Sequence, residues 1–189
     1  MSRYPSPDQL ISLSTVCVGV GPGGENCALI FPGEPLLDTF VRPTMQITDY
    51  RVATTGIKDW QLFSKDAAPF NQVQQFVANM IRGKIIVGHG IWNDLSVLGI
   101  PHPAVSTRDV ALYQPFRNAL KNPHVIIGLQ TLCWQLMRRR CQEGLIDPTE
   151  NARAAMDLYR SHANEWETAI LRSAWPCSLP PSTFSRCYS

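Results

Sequence analysis

Leu10-Ile11-Ser12-Leu13-Ser14-Thr15-Val16-Cys17-Val18-Gly19-Val20 runs directly into Gly21-Pro22-Gly23-Gly24. The first part is apolar or β-branched almost throughout, and the glycine–proline cluster stops any regular element. Together they predict a buried strand followed by a turn. Short strands are expected next at Cys27–Phe31 and, after the Pro32-Gly33 turn, at Leu36–Val41. Asn71 to Ile81 reads as a helix, because Val73, Phe76, Val77, Met80 and Ile81 repeat at helical spacing and form one apolar stripe. Gly83 ends it, and Ile85-Ile86-Val87 supplies another strand.

Trp92 to Leu98 reads as a short helix closed by Gly99. Ser106–Val110 is a further strand, and Leu129, Leu132, Cys133, Leu136 and Met137 repeat the helical stripe. Asp147-Pro148-Thr149-Glu150 combines a capping Asp, Pro at the first helical position and a Glu able to complete a capping box; a helix running towards Ile170 is expected from it. Strands come first and then alternate with helices, which implies an α/β fold with a mixed β-sheet flanked by helices. Residues 10–172 form the expected domain. Residues 173–189 are rich in proline and carry Cys177 and Cys187, and read as an irregular C-terminal extension.

A chain of 189 residues has room for one such domain and its core. Its net charge of +2 is too small to argue for nucleic acid, so any anion-binding surface must be local. Cys17, Cys27, Cys133, Cys141, Cys177 and Cys187 form no C-x-x-C pair, and the histidines do not cluster with them, which gives no zinc spacing. Thiols in a reducing interior, nucleus or cytoplasm, are expected. No stretch has the length and apolarity of a membrane span or signal core.

Gly19-Val20-Gly21-Pro22-Gly23-Gly24, Thr48-Asp49-Tyr50-Arg51, Val87-Gly88-His89, Asn93-Asp94-Leu95 and Asn151-Ala152-Arg153-Ala154 resemble, in order and spacing, the DEDDh 3′→5′ exonucleases, in particular the RNA exonuclease 4-like branch. The resemblance spans about four-fifths of the chain, from Leu10 to Trp166. It implies a ribonuclease-H-like fold. The Cys27–Leu37 interval is short for that family, which leaves a truncated second strand, by deletion or by a defective gene model. The family's chemistry uses carboxylates to hold two divalent cations roughly 3.5–4 Å apart, with a histidine as general base.

Carried over position by position, the resemblance puts Ser14 and Val16 where the first two carboxylates stand, Asp94 at the helix carboxylate, Ile146 at the base and Asn151 at the last carboxylate. Only Asp94 keeps the family's residue type. The charge of these positions falls from about −4 to about −1, against +4 for two divalent cations. Ser14 and Asn151 offer neutral oxygens, but Val16 and Ile146 can neither bind a hard cation nor take a proton.

Neighbouring groups have structural readings. Asp147 and Glu150 are expected to cap a helix, His89 to pack or hydrogen-bond, and Asp109 to accept hydrogen bonds at a strand end. Asp94, in the first turn of a helix, suits the helix dipole and at most weak metal binding. Gly21-Pro22-Gly23-Gly24 lacks the Lys-Ser/Thr of a phosphate loop. Thr55, Gly56 and Ile57 match the family's segment near a 3′-terminal nucleotide. Arg138, Arg139 and Arg140 are either a phosphate patch or basic residues at a helix C-terminus.

The expected function is therefore that of a degenerate exonuclease-like protein acting as a nucleic-acid-binding or protein-interaction module. Single-stranded RNA is the candidate nucleic acid, and the C-terminal tail the candidate handle for a protein. No cofactor is expected, and Mg²⁺ or Mn²⁺ enters only with residual activity. Two alternatives stand beside this: an active 3′→5′ RNA exonuclease with substitute metal ligands, and a non-nuclease enzyme using the vacated apolar cleft, with Cys17 and His89 supplying reactivity.

Overall fold

The computed structural model describes residues 4–20, 26–31, 37 and 39–188. The Gly21–Gly24 and Pro32-Gly33 turns lie outside the described residues. The strands are β1 (Leu10–Ser12), β2 (Val16–Val20), β3 (Asn26–Phe31), β4 (Thr39–Arg42), β5 (Ile47–Asp49), β6 (Ala68–Pro69), β7 (Ile85–Gly88) and β8 (Thr107–Asp109). The helices are α1 (Val52–Thr55), α2 (Asp59–Leu62), α3 (Phe70–Ile81), α4 (Ile91–Leu98), α5 (Gln114–Ala119), α6 (Leu129–Met137), α7 (Pro148–Ser161) and α8 (Ala163–Leu171).

The strand expected over Leu10–Val20 is divided. β1 pairs in parallel with β7, which pairs in parallel with β8. β2 lies in a second sheet of order β5-β2-β3-β4-β6. The Leu13–Thr15 link between them crosses β7, where the Leu13 amide donates to the Val87 carbonyl at 2.9 Å. Gly88 makes this crossing possible, because a Cβ there would stand 2.5 Å from the Leu13 carbonyl oxygen. β3 pairs antiparallel with β2 from Val16↔Ile30 to Val20↔Asn26. The short Cys27–Leu37 interval thus still contains a fully paired second strand.

α3 buries Val73, Val77 and Ile81, whereas Phe76, on the edge of the expected stripe, is 45% exposed. The helix expected from Pro148 to Ile170 is two helices, broken at His162, whose φ of −130° and ψ of 16° are not helical. At its start Asp147 accepts from the Thr149 amide at 2.8 Å, as an N-cap should. Glu150 does not close the expected capping box; its carboxylate accepts from the Gln142 amide at 2.9 Å instead.

One core cluster lies under α3 and α4, with Val73, Val77, Ile86, Ile91, Leu95 and Leu98 at its centre. A second joins β7 and β8 to α6, α7 and α8 through Tyr113, Phe116, Leu132, Leu158, Tyr159 and Trp166. Into it is set a buried ion pair: Arg108 donates to both carboxylate oxygens of Glu167, at 2.7 and 3.0 Å, and the Tyr159 hydroxyl adds a bond at 2.8 Å. No sequence signal announced this pair.

The tail differs from a loose extension. Pro176 accepts from the Gln114 amide, Ser178 donates to Leu112, and Cys187 accepts from the His102 amide. Residues Ser182–Cys187 form a 3-10 turn whose Phe184 and Cys187 join the first core cluster, as does Tyr188. Cys133, Cys141, Cys177 and Cys187 carry thiols rather than disulfides. Among the described residues no helix is long and apolar enough to cross a membrane.

Candidate functional site

Asp94 sits in the first turn of α4, one edge of the groove that the family motif would use, and is only 6% exposed. The Thr15 hydroxyl, on the link between β1 and β2, donates to its Oδ1. Burial pushes the Asp94 carboxyl up to about 7; the Thr15 bond opposes this, and the nearby Asp109 charge adds to it.

The N-terminus of α4 is capped by Asp109, not by Asp94. Asp109 Oδ1 accepts from the Gly90 amide at 2.9 Å and from Ala111 at 3.0 Å, and its Oδ2 accepts from Ile91 at 2.8 Å. The Tyr188 hydroxyl donates to Oδ2 at 3.3 Å, which ties the tail to the cap. Burial raises the Asp109 pKa, against the pull of His89 and of those amides. Asp109 is thus the strand-end acceptor expected, and His89 likewise makes a structural bond, from its Nε2 to the Ile127 carbonyl at 2.7 Å.

The opposite side of the site is apolar. Val16 is buried in a cluster with Val18, Ile57 and Leu62, and Phe40, Ile47, Tyr50 and Ile146 pack against it. Val16 and Ile146, the positions matched to a carboxylate and to the base, therefore adjoin the same apolar cluster. The Ile146 amide donates to the Thr54 carbonyl at 2.8 Å, laying its loop across α1. Leu145 covers Gly56, where a Cβ would stand 2.5 Å from its Cδ1. The Thr55 hydroxyl donates to the Tyr50 carbonyl at 2.9 Å and accepts from the Ile57 amide at 3.1 Å.

Asn151 accepts from the Gln142 side chain at 2.8 Å. Gln142 has a φ of 58° and also gives its amide to Glu150, so it clamps the start of α7 from outside. Ser12 donates to the Ala152 carbonyl at 2.7 Å, which seats the start of α7 on β1 beside half-buried Ser14. Sequence reading missed Thr15 and Gln142. Thr15 could have been found, since it lies between two motif positions; Gln142 carries no motif signal.

Arg138, Arg139 and Arg140 do not form a patch of three free cations. Arg139 is paired with Asp157, and Arg140 with Glu143 at 3.3 Å. The guanidiniums of Arg138 and Arg140 each lie 5.7 Å from the centre of the Trp134 ring.

Among the described residues no group of three or more His, Cys, Asp and Glu side chains is placed to hold a metal ion. The donors at the motif positions do not fit a pair of divalent cations: Asp94 is the single carboxylate, and Val16 and Ile146 present carbon.

No protein-family model matches the chain. Curated proteins do. RNA exonuclease 4 of Cryptococcus neoformans is 38% identical over 172 residues, which cover 88% of this chain and 41% of that protein. RNA exonuclease 4 of Xenopus laevis is 35% identical over 167 residues, covering 85% and 38%. The human apoptosis-enhancing nuclease is 33% identical over 185 residues, covering 92% and 55%. The chain thus spans about two-fifths to just over half the length of these relatives. Among solved structures, the Saccharomyces cerevisiae Pan2 pseudoubiquitin hydrolase–RNA exonuclease module in complex with RNA superposes with a TM-score of 0.70 at 26% identity, covering 87% of this chain and 31% of that one. On these similarities the chain is a homologue of the RNA exonuclease 4 and apoptosis-enhancing nuclease proteins of the DEDDh exonuclease family, and it shares the fold of the Pan2 exonuclease.

Proposed function

We propose that this domain, residues 10–172 with the tail as a strap, does not hydrolyse RNA by the two-cation route and serves instead as a binding module for single-stranded RNA. One observation carries the reading. Val16, Ile57 and Ile146 pack into one apolar cluster where the family motif asks for a carboxylate, a nucleotide contact and a base.

The remaining groups support it. Asp94 is held by Thr15 and is the single carboxylate at the motif positions, so it offers a divalent cation little by itself. Ser14 and Asn151 bring no charge. RNA is the favoured ligand because the Pan2 relative was solved with RNA bound. A protein-interaction role through the tail has less support: Phe184, Cys187 and Tyr188 pack on the core, which leaves Trp175 and Leu179 as its exposed apolar residues.

The test is fluorescence anisotropy with a labelled single-stranded RNA, once in EDTA and once in Mg²⁺. The expected result is equal affinity in both, weakening steeply with salt. Affinity that requires Mg²⁺ would mean a cation bridges protein and phosphate, and the reading would be wrong.

A further inference from the structure

The exposed face of α6 carries a pocket that the cleft does not use. Gln130, Thr131, Trp134 and Gln135 line it from the helix, and Arg140, Cys141 and Glu143 from the following loop, around a volume of about 310 Å³. Trp134 is 41% exposed, which leaves part of its indole open to a ligand. We infer that this pocket is a base-stacking subsite for single-stranded RNA, with Trp134 as the platform and Arg138 and Arg140 as phosphate contacts; it rests on the RNA-binding reading above and deepens it.

The lining chemistry selects this ligand. A base offers a planar π-face to an indole and hydrogen-bonding edges to side-chain amides and hydroxyls, which Gln130, Gln135 and Thr131 supply. Guanidiniums match phosphate oxygens in geometry and charge. The two guanidiniums now lie near the outer limit of a cation–π contact with Trp134, and the Arg140–Glu143 pair is largely exposed, so either can swing away at small cost. The volume is at the small end for ligand sites, suited to one nucleoside.

The pocket also connects to the cleft. Gln130 donates to the Gln142 carbonyl at 3.3 Å, and Gln142 donates to Asn151 at 2.8 Å. Gln142 and Gln130 thus link the start of α7 to the lining of the pocket.

Binding of a fluorescein-labelled single-stranded RNA tests this with four proteins: the parent, Trp134→Leu, Trp134→Phe and Arg140→Gln. Trp134→Leu should weaken binding about tenfold without changing the salt slope, and Trp134→Phe by much less. Arg140→Gln should lower the salt slope by about one. Photo-crosslinking of 4-thiouridine RNA to the parent protein should label the peptide that holds Trp134, a readout independent of how any variant folds. Parent protein that binds RNA, with Trp134→Leu equal to it and the crosslink elsewhere, overturns the subsite and leaves the RNA reading standing. Parent protein that binds no RNA overturns both.

Discussion

Ile146 packs against the apolar cluster that contains Val16, so the position matched to the family's general base and the position matched to its second carboxylate both adjoin one body of hydrocarbon. In a two-cation site these two side chains would face each other across metal and water. Here both positions carry hydrocarbon side chains, which offer a cation no oxygen or nitrogen.

Restoring the acid alone should harm the fold. Val16→Glu places a carboxylate at a site 6% exposed with hydrocarbon around it. Chemical denaturation should show a loss of roughly 3 kcal/mol or more, while Val16→Ile stays within about 1–3 kcal/mol of the parent.

Asp94 should make stability depend on pH in a particular direction. Its folded pKa of about 7 lies above the unfolded value of 3.8. Between these the unfolded chain has released a proton that the folded protein keeps, so stability is highest below the unfolded value, falls as pH rises through this window, and levels off above the folded value. Asp94→Asn removes the titration and keeps an acceptor for Thr15. It should match the parent near the bottom of the window and exceed it by a few kcal/mol above the top. Urea midpoints across pH measure this; a variant weaker than the parent throughout would contradict it.

The tail should be needed for folding. Phe184, Cys187 and Tyr188 belong to the first core cluster, and Tyr188 also donates to the Asp109 that caps α4. Deleting residues 173–189 should lower the thermal midpoint by well over ten degrees, because buried Cys187 and partly buried Phe184 and Tyr188 go at once. Tyr188→Phe, which removes one hydrogen bond, should cost about 1 kcal/mol.

The buried Arg108–Glu167 pair gives the largest single-residue effect expected away from the cleft. Glu167→Gln leaves the Arg108 charge without its partner at a site 3% exposed. A loss of about 3–5 kcal/mol is expected from thermal or urea unfolding.

Much of the fold was legible because periodicity and glycines carry it. Val73, Val77 and Ile81 marked α3, Gly99 ended α4, and Pro148 opened α7. What escaped is tertiary. The break between β1 and β2 depends on Gly88 admitting the Leu13 backbone, and the break at His162 lies inside an otherwise helical pattern. Spacing matched Ser14, Val16, Asp94, Ile146 and Asn151 to a family motif, but it said nothing of their company. Nothing local says that Ile146 meets Val16's cluster, that Glu150 abandons its cap for Gln142, or that two of the three arginines are already paired.

The central claim is that the apolar cluster has replaced the metal site, and digestion of a 5′-labelled single-stranded RNA tests it most directly. Purified protein in excess is incubated with Mg²⁺ or Mn²⁺ beside the Asp94→Ala variant. The expected result is full-length RNA in every lane. A ladder shortening from the 3′ end with the parent and absent with Asp94→Ala would contradict it, and would mean that a catalytic metal assembles around Asp94 despite Val16 and Ile146.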